Sequence, residues 1–90
     1  MFEVSIGKKP RKFLEEEIEE KPRQRILALF DSLALNPWPA KEFDLAKLEG
    51  LEDCFRIRIG IYRICYHINT EIKEVTIYRI ERRSETTYRR

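Results

Sequence analysis

Residues 54–69, CFRIRIGIYRICYHIN, alternate apolar and polar side chains twice, and the two alternations meet at Gly60-Ile61. A period of two marks a strand with one buried face. Glycine opening a two-residue loop suits a type II′ hairpin turn. With that loop setting the register, the cross-strand pairs are Ile59–Tyr62, Arg58–Arg63, Ile57–Ile64, Arg56–Cys65, Phe55–Tyr66 and Cys54–His67. The apolar residues then share one face. The other face sets Arg58 directly opposite Arg63, with Arg56 two residues away. Like charges facing each other destabilise a sheet, so folding alone gives no reason for this placement. An anion docked between the arginines gives one.

The rest of the chain is read around this hairpin. Phe2, Val4 and Ile6 alternate with Glu3 and Ser5, giving a short first strand ended by Gly7. Pro10 is tolerated in the first turn of a helix, whose stripe is Phe13, Leu14 and Ile18. Its acidic run, residues 15–20, reads as a solvated face. Lys21-Pro22 is expected to break that helix and start a second, where Ile26, Leu27, Leu29, Phe30, Leu33 and Ala34 recur at helical spacing. Asn36-Pro37-Trp38-Pro39 stops it, and Trp38 is expected to cap the core edge. Residues 40–52 read as a connection anchored by Phe43, Leu45, Leu48 and Leu51. After the hairpin comes a last strand, with Val75 and Ile77 on one face and Thr76, Tyr78, Ile80 and Arg82 on the other. Arg83 is expected to point away from Arg82.

The predicted fold is therefore one α+β domain spanning residues 1–90, ordered β-α-α-β-β-β. A helical hairpin packs on one face of a mostly antiparallel, four-stranded sheet and leaves the arginine face open.

Charge distribution sharpens this picture. The net charge is only +2. Residues 1–45 carry 8 basic and 9 acidic side chains, whereas residues 46–90 carry 10 basic and 7 acidic, and eight of those basics are arginine. Arginine grips phosphate in a bidentate way, so this half points to nucleic acid more specifically than bulk charge does. The N-terminus has no apolar run of signal-peptide length, and no stretch reaches the length of a membrane span. A cytoplasmic protein without membrane contact is expected, with Cys54 and Cys65 as free thiols.

Several site types are missing. The chain contains no CxxC, HExxH, glycine-rich phosphate loop or GxSxG. His67 is the only histidine, which excludes a paired-histidine nuclease. No metal or other cofactor is expected, because the acids sit mostly on the first helix. What remains is arginine plus one tyrosine: Arg56, Arg58, Arg63 and Arg82 converging on a phosphodiester, with Tyr88 at the rim. Arginines stabilise the charge that builds on a phosphoryl group in transfer. An arginine-faced sheet that binds without catalysing is the other reading these residues allow.

The run Lys47-Leu48-Glu49-Gly50, then residues 53–60, then Tyr62-Arg63-Ile64 and Tyr66, resembles the RelE branch of the RelE/ParE toxin superfamily. The resemblance implies a ribosome-dependent endoribonuclease that cuts messenger RNA by attack of the 2′-hydroxyl on the adjacent phosphate. It implies two kinds of partner, a cognate antitoxin and the ribosome with its mRNA. It also implies catalytic roles for Arg63, Arg82 and Tyr88. Substrate-binding roles fall to Arg56, Arg58 and Arg83, with Arg83 the fallback for the catalytic late arginine. Some relatives have lysines where Arg56 and Arg58 stand. Arginine is a poor proton acceptor, which leaves Tyr88 as the candidate base. The ParE branch shares the fold but inhibits DNA gyrase, and an inactive RNA-binding relative is the third alternative.

Overall fold

The computed structural model describes residues 1–83. Within them the order is β1 (Glu3–Ile6), α1 (Lys8–Glu17), α2 (Glu20–Leu35), β2 (Asp44–Lys47), β3 (Cys54–Ile59), β4 (Tyr62–Asn69) and β5 (Glu74–Arg82). The strands form one sheet in the order β1-β5-β4-β3-β2. Strand β1 runs parallel to β5, and every other neighbouring pair is antiparallel.

The expected α+β layering is present, but the sheet has five strands, not four. The added strand, β2, lies within the stretch expected to be a connection. It is four residues long, sits at the sheet edge and carries Asp44 and Lys47 at its ends. Short, charged edge strands resist pairing with other chains, and that same brevity hides them from a periodicity argument. Its register places Leu45 opposite Ile57 and Asp44 opposite Arg58.

All six expected hairpin pairs occur between β3 and β4. Gly60 adopts φ 59°, whereas Ile61 is not in the positive-φ region. A type I′ turn needs positive φ at both central residues, so the pattern is that of type II′.

The two helices cover one face of the sheet. Leu14, Ile18, Ile26, Leu29 and Leu33 meet Ile57, Ile59, Ile64, Tyr66, Ile68, Val75, Ile77 and Ile80 in a single core. The break between the helices falls at Ile18-Glu19, earlier than Lys21-Pro22, and Pro22 lies in the first turn of α2. That position suits a residue with no N–H to donate. Tyr66 is the largest fully buried side chain, and its hydroxyl donates to the Pro37 carbonyl oxygen at 2.8 Å. This bond ties the loop after α2 to the centre of the sheet. Trp38 packs edge-on against Phe2 with ring centroids 6.0 Å apart, capping the core margin as expected.

Strand β5 departs from simple alternation. Its register with β4 shifts between Cys65 and Tyr66: Tyr66 pairs with Ile77, yet Cys65 pairs with Arg79. One extra residue, Tyr78, is accommodated by this bulge, and side-chain parity reverses beyond it. Ile80 consequently turns into the core, 6% exposed and opposite Ile64.

Candidate functional site

The sheet face away from the helices carries a row of four charged residues that runs across four strands. Asp44 on β2 pairs with Arg58 on β3, Arg58 with Arg63 on β4, and Arg63 with Glu81 on β5. Two cations lie side by side at the centre and a carboxylate flanks each. Arg58 donates through Nε to Asp44 Oδ2 at 2.8 Å, with its Nη2 2.7 Å from the same oxygen. Arg63 Nη2 lies 3.3 Å from Glu81 Oε2, and Arg79 Nε lies 3.2 Å from Glu81 Oε1. The expectation that folding gives no reason for opposing Arg58 and Arg63 is thereby corrected. Each arginine has a carboxylate on its outer neighbour, and that compensates the repulsion between them.

Compensation is incomplete. Arg56 Nη1 is 3.7 Å from Asp44 Oδ1, and the same nitrogen is buried with no hydrogen-bond partner. A buried donor left without an acceptor is costly. Arg83, one residue beyond β5, is close enough to help hold Asp44 in its charged form. The face thus gathers Arg56, Arg58, Arg63, Arg79 and Arg83 around two carboxylates. Hydrogen bonding from Arg58 is the largest influence on Asp44 and holds its carboxyl below the ordinary value of 3.8, with Arg56 and Arg83 adding to it against some desolvation. Asp44 is therefore ionised at neutral pH.

Arg82 is not on this face. The bulge at Tyr78 turns it to the helix side, where it pairs with Tyr62. Its Nη2 donates to the Tyr62 hydroxyl oxygen at 3.3 Å, and its guanidinium lies 5.6 Å from the Tyr62 ring centroid. The expected convergence of Arg82 with Arg56, Arg58 and Arg63 is corrected accordingly; of the two late arginines it is Arg83 whose charge reaches Asp44. Tyr88 lies outside the described residues.

Asp44, Arg79 and Glu81 were not anticipated from sequence. A signal for the latter two was available. Val75, Ile77 and Ile80 cannot all face one core by strict alternation, because only two residues, Tyr78 and Arg79, lie between Ile77 and Ile80. A parity change between them is required, and it exposes Arg79 and Glu81 on the open face. Asp44 offered no comparable signal.

Tyr78 also stands near this face, beside Cys54. Desolvation first, and then a hydrogen bond with the Cys54 thiol, push its phenol up to about 12. It remains protonated at neutral pH and cannot serve there as a base. Both cysteines are free, and their register is diagonal, with Cys54 opposite His67 and Cys65 opposite Arg56. Among the described residues, no group of three or more His, Cys, Asp and Glu side chains is arranged to hold a metal ion. No described helix is long and apolar enough to cross a membrane.

Comparison with known proteins places this geometry in a family. Residues 8–87 match the model of the ParE toxin of type II toxin–antitoxin systems, parDE. The RelE1 toxin of Methanocaldococcus jannaschii is 30% identical over 82 residues, which cover 91% of this chain and 90% of the relative. The archaeal RelE–RelB complex from Pyrococcus horikoshii OT3 contains a chain 32% identical, with TM-score 0.83, covering 93% of this chain and 97% of that one. The isolated Escherichia coli RelE toxin shares the fold at TM-score 0.76 and 19% identity, over 97% of this chain and 92% of that one. This chain belongs to the RelE/ParE superfamily of type II toxin–antitoxin toxins, on its RelE-like branch.

Proposed function

We propose that this protein is a ribosome-dependent endoribonuclease that arrests translation by cutting messenger RNA. The observation that carries the reading is the open sheet face. Five arginines lie there near two carboxylates, and the side chains of Arg58, Arg63 and Arg79 remain 39%, 44% and 64% exposed beside them. A phosphodiester supplies acceptor oxygens in a geometry that guanidinium forks match.

In the proposed reaction the 2′-oxygen of the substrate attacks the adjacent phosphorus. The bond from phosphorus to the 5′-oxygen breaks, leaving a 2′,3′-cyclic phosphate and a 5′-hydroxyl. Arg63 stabilises the charge gathering on the phosphoryl oxygens, and Arg56 and Arg58 hold the phosphate. Of the two late arginines, Arg83 is favoured for the reacting phosphate because Arg82 lies on the other side of the sheet. Tyr88, as the phenolate that neighbouring guanidinium groups favour, takes the proton from the 2′-hydroxyl, and solvent water supplies a proton to the departing 5′-oxygen. No metal enters the scheme. Asp44 and Glu81 hold the guanidinium groups in place before substrate arrives and yield them to phosphate oxygens.

A cognate antitoxin is the proposed protein partner, supported by the RelB-bound structures of relatives. An amphipathic antitoxin segment lies over the apolar groove beside the helices or pairs with a sheet edge, and covers the arginines from there. The second reading, gyrase inhibition without RNA cleavage, draws on the ParE description of the matching family and on a charge row that already balances much of itself. Primer extension on transcripts from induced cells decides between them. Codon-phased cuts are expected; intact transcripts accompanied by DNA damage favour the gyrase reading.

A further inference from the structure

A groove around the tip of the β3–β4 hairpin lies outside the arginine face. It has a volume of about 370 Å³ and is lined by Glu19 at the start of α2, Arg25, the turn at Gly60, Tyr62 and Arg82. A second hollow, of about 340 Å³, adjoins it, and its lining includes Arg25, Ile59 and Arg58 together with the acids Glu42 and Asp44. The two hollows share Arg25 and Ile59, so one surface runs continuously from Arg58 on the sheet face to Arg82 on the helix side. Arg25 Nη1 is 4.0 Å from where a Cβ on Gly60 would stand, so it sits directly over the turn.

The arginines of this groove differ from those of the sheet face. Arg56, Arg58, Arg63 and Arg79 each have a carboxylate within 4 Å. Among the described residues, Arg25 and Arg82 have none. Arg82 is aimed by a neutral partner, the Tyr62 hydroxyl and ring, which leaves its full charge and most of its N–H donors available. Tyr62 is itself 4% exposed, so the mount is rigid. Glu19 lines the same groove but forms no ion pair with either arginine.

We propose that this groove is a second phosphate subsite for RNA, continuous with the site of cleavage and separate from it. The inference rests on the RNA-cutting function proposed above. Arginine forks at both ends, and a continuous path to the sheet face, suit a sugar–phosphate backbone that passes over the hairpin tip. The RNA is either the strand being cut or ribosomal RNA beside it.

The test measures the salt dependence of binding by the full chain, free of antitoxin. One arm uses a short 2′-O-methylated single-stranded RNA that cannot be cut, and the other uses vacant ribosomes. For Arg25→Ala the slope of log K against log salt is expected to fall by about 0.7 on single-stranded RNA for the lost phosphate contact. Glu19→Gln is expected to tighten binding at low salt. A change in the first arm assigns the subsite to the substrate strand; a change only in the second assigns it to ribosomal RNA. Unchanged slopes in both arms, with wild-type protein binding normally, overturn the subsite and leave the cleavage reading standing. Wild-type protein that binds neither RNA nor ribosomes removes the subsite and the function on which it rests.

Discussion

Arg58 and Arg63 face each other across the central hairpin, and each is paired on its outer side with a carboxylate from a different strand, Asp44 for one and Glu81 for the other. The four residues form a cross-strand row whose centre is cationic and whose ends are anionic. This arrangement lets the sheet fold with two arginines abutting, and it keeps both guanidinium groups at a solvent-facing surface. The carboxylates are as much a part of the site as the arginines.

Removing one end of the row separates stability from binding. Glu81→Gln leaves Arg63 beside Arg58 with less compensation, and exposed pairs of this kind contribute about 0.2–1 kcal/mol. Thermal melts should show a small loss of stability that shrinks at high salt. RNA affinity should move the other way and rise. A parallel fall in both would contradict the account.

Asp44 gives the row a pH dependence. Its carboxyl is held below the ordinary value of 3.8, chiefly by the Arg58 hydrogen bond. For a carboxyl with a depressed folded value, the stabilisation is fully present above the unfolded value and lost as pH falls through the folded one. The Asp44–Arg58 contribution should therefore be constant at neutral pH and disappear below about pH 4. Acid titration of stability in wild type and Asp44→Asn should converge there. Curves that remain parallel through that range would count against the assignment.

Among the described residues, the Tyr66 hydroxyl makes the one buried side-chain bond to the loop after α2. Tyr66→Phe strands the Pro37 carbonyl, a loss of about 1–3 kcal/mol. In a domain of this size that lowers the melting temperature by about 4–8 °C for each kcal/mol. Calorimetry on the purified variant checks it, and an unchanged transition would show that the bond is dispensable.

The two thiols should differ in reactivity. Cys65 is buried, and desolvation, followed by the nearby Glu81, pushes its thiol above the ordinary range; Cys54 is half-buried. Alkylation at pH 8 should label Cys54 well before Cys65, since the thiolate is the reactive form. Peptide mapping by mass spectrometry reads the order directly.

The hairpin could be read from sequence because two independent signals agreed, the alternation on both sides of the turn and the glycine that fixes the turn itself. Every pair between Cys54–His67 and Ile59–Tyr62 follows from them. The helices are legible as apolar stripes, although the break at Ile18-Glu19 precedes Pro22, which lies inside α2. Strand β2 was not legible. Four residues with a charge at each end carry too little periodicity, and the strand exists because β3 offers an edge to pair with. The parallel pairing of β1 with β5 is equally a property of the assembled sheet. The bulge at Tyr78 was implicit in the spacing of Ile77 and Ile80, and missing it put Arg82 on the wrong face. The candidate site was thus half visible: Arg56, Arg58 and Arg63 from the alternation, with Asp44, Arg79 and Glu81 supplied by tertiary register.

The central claim is that the arginine face drives cleavage by the substrate's own 2′-hydroxyl. Purified protein, freed of antitoxin, is added to ribosomes carrying a defined mRNA. The transcript is either all ribose or has a single 2′-deoxy nucleotide at the mapped cut. The account predicts a cut ending in a 2′,3′-cyclic phosphate on the all-ribose mRNA and none on the 2′-deoxy mRNA. For a folded Arg63→Ala variant it predicts a rate about 10²–10³-fold lower, the usual loss for removing one transition-state charge partner. All-ribose mRNA left intact by folded wild-type protein, or cut equally well by Arg63→Ala, would contradict it.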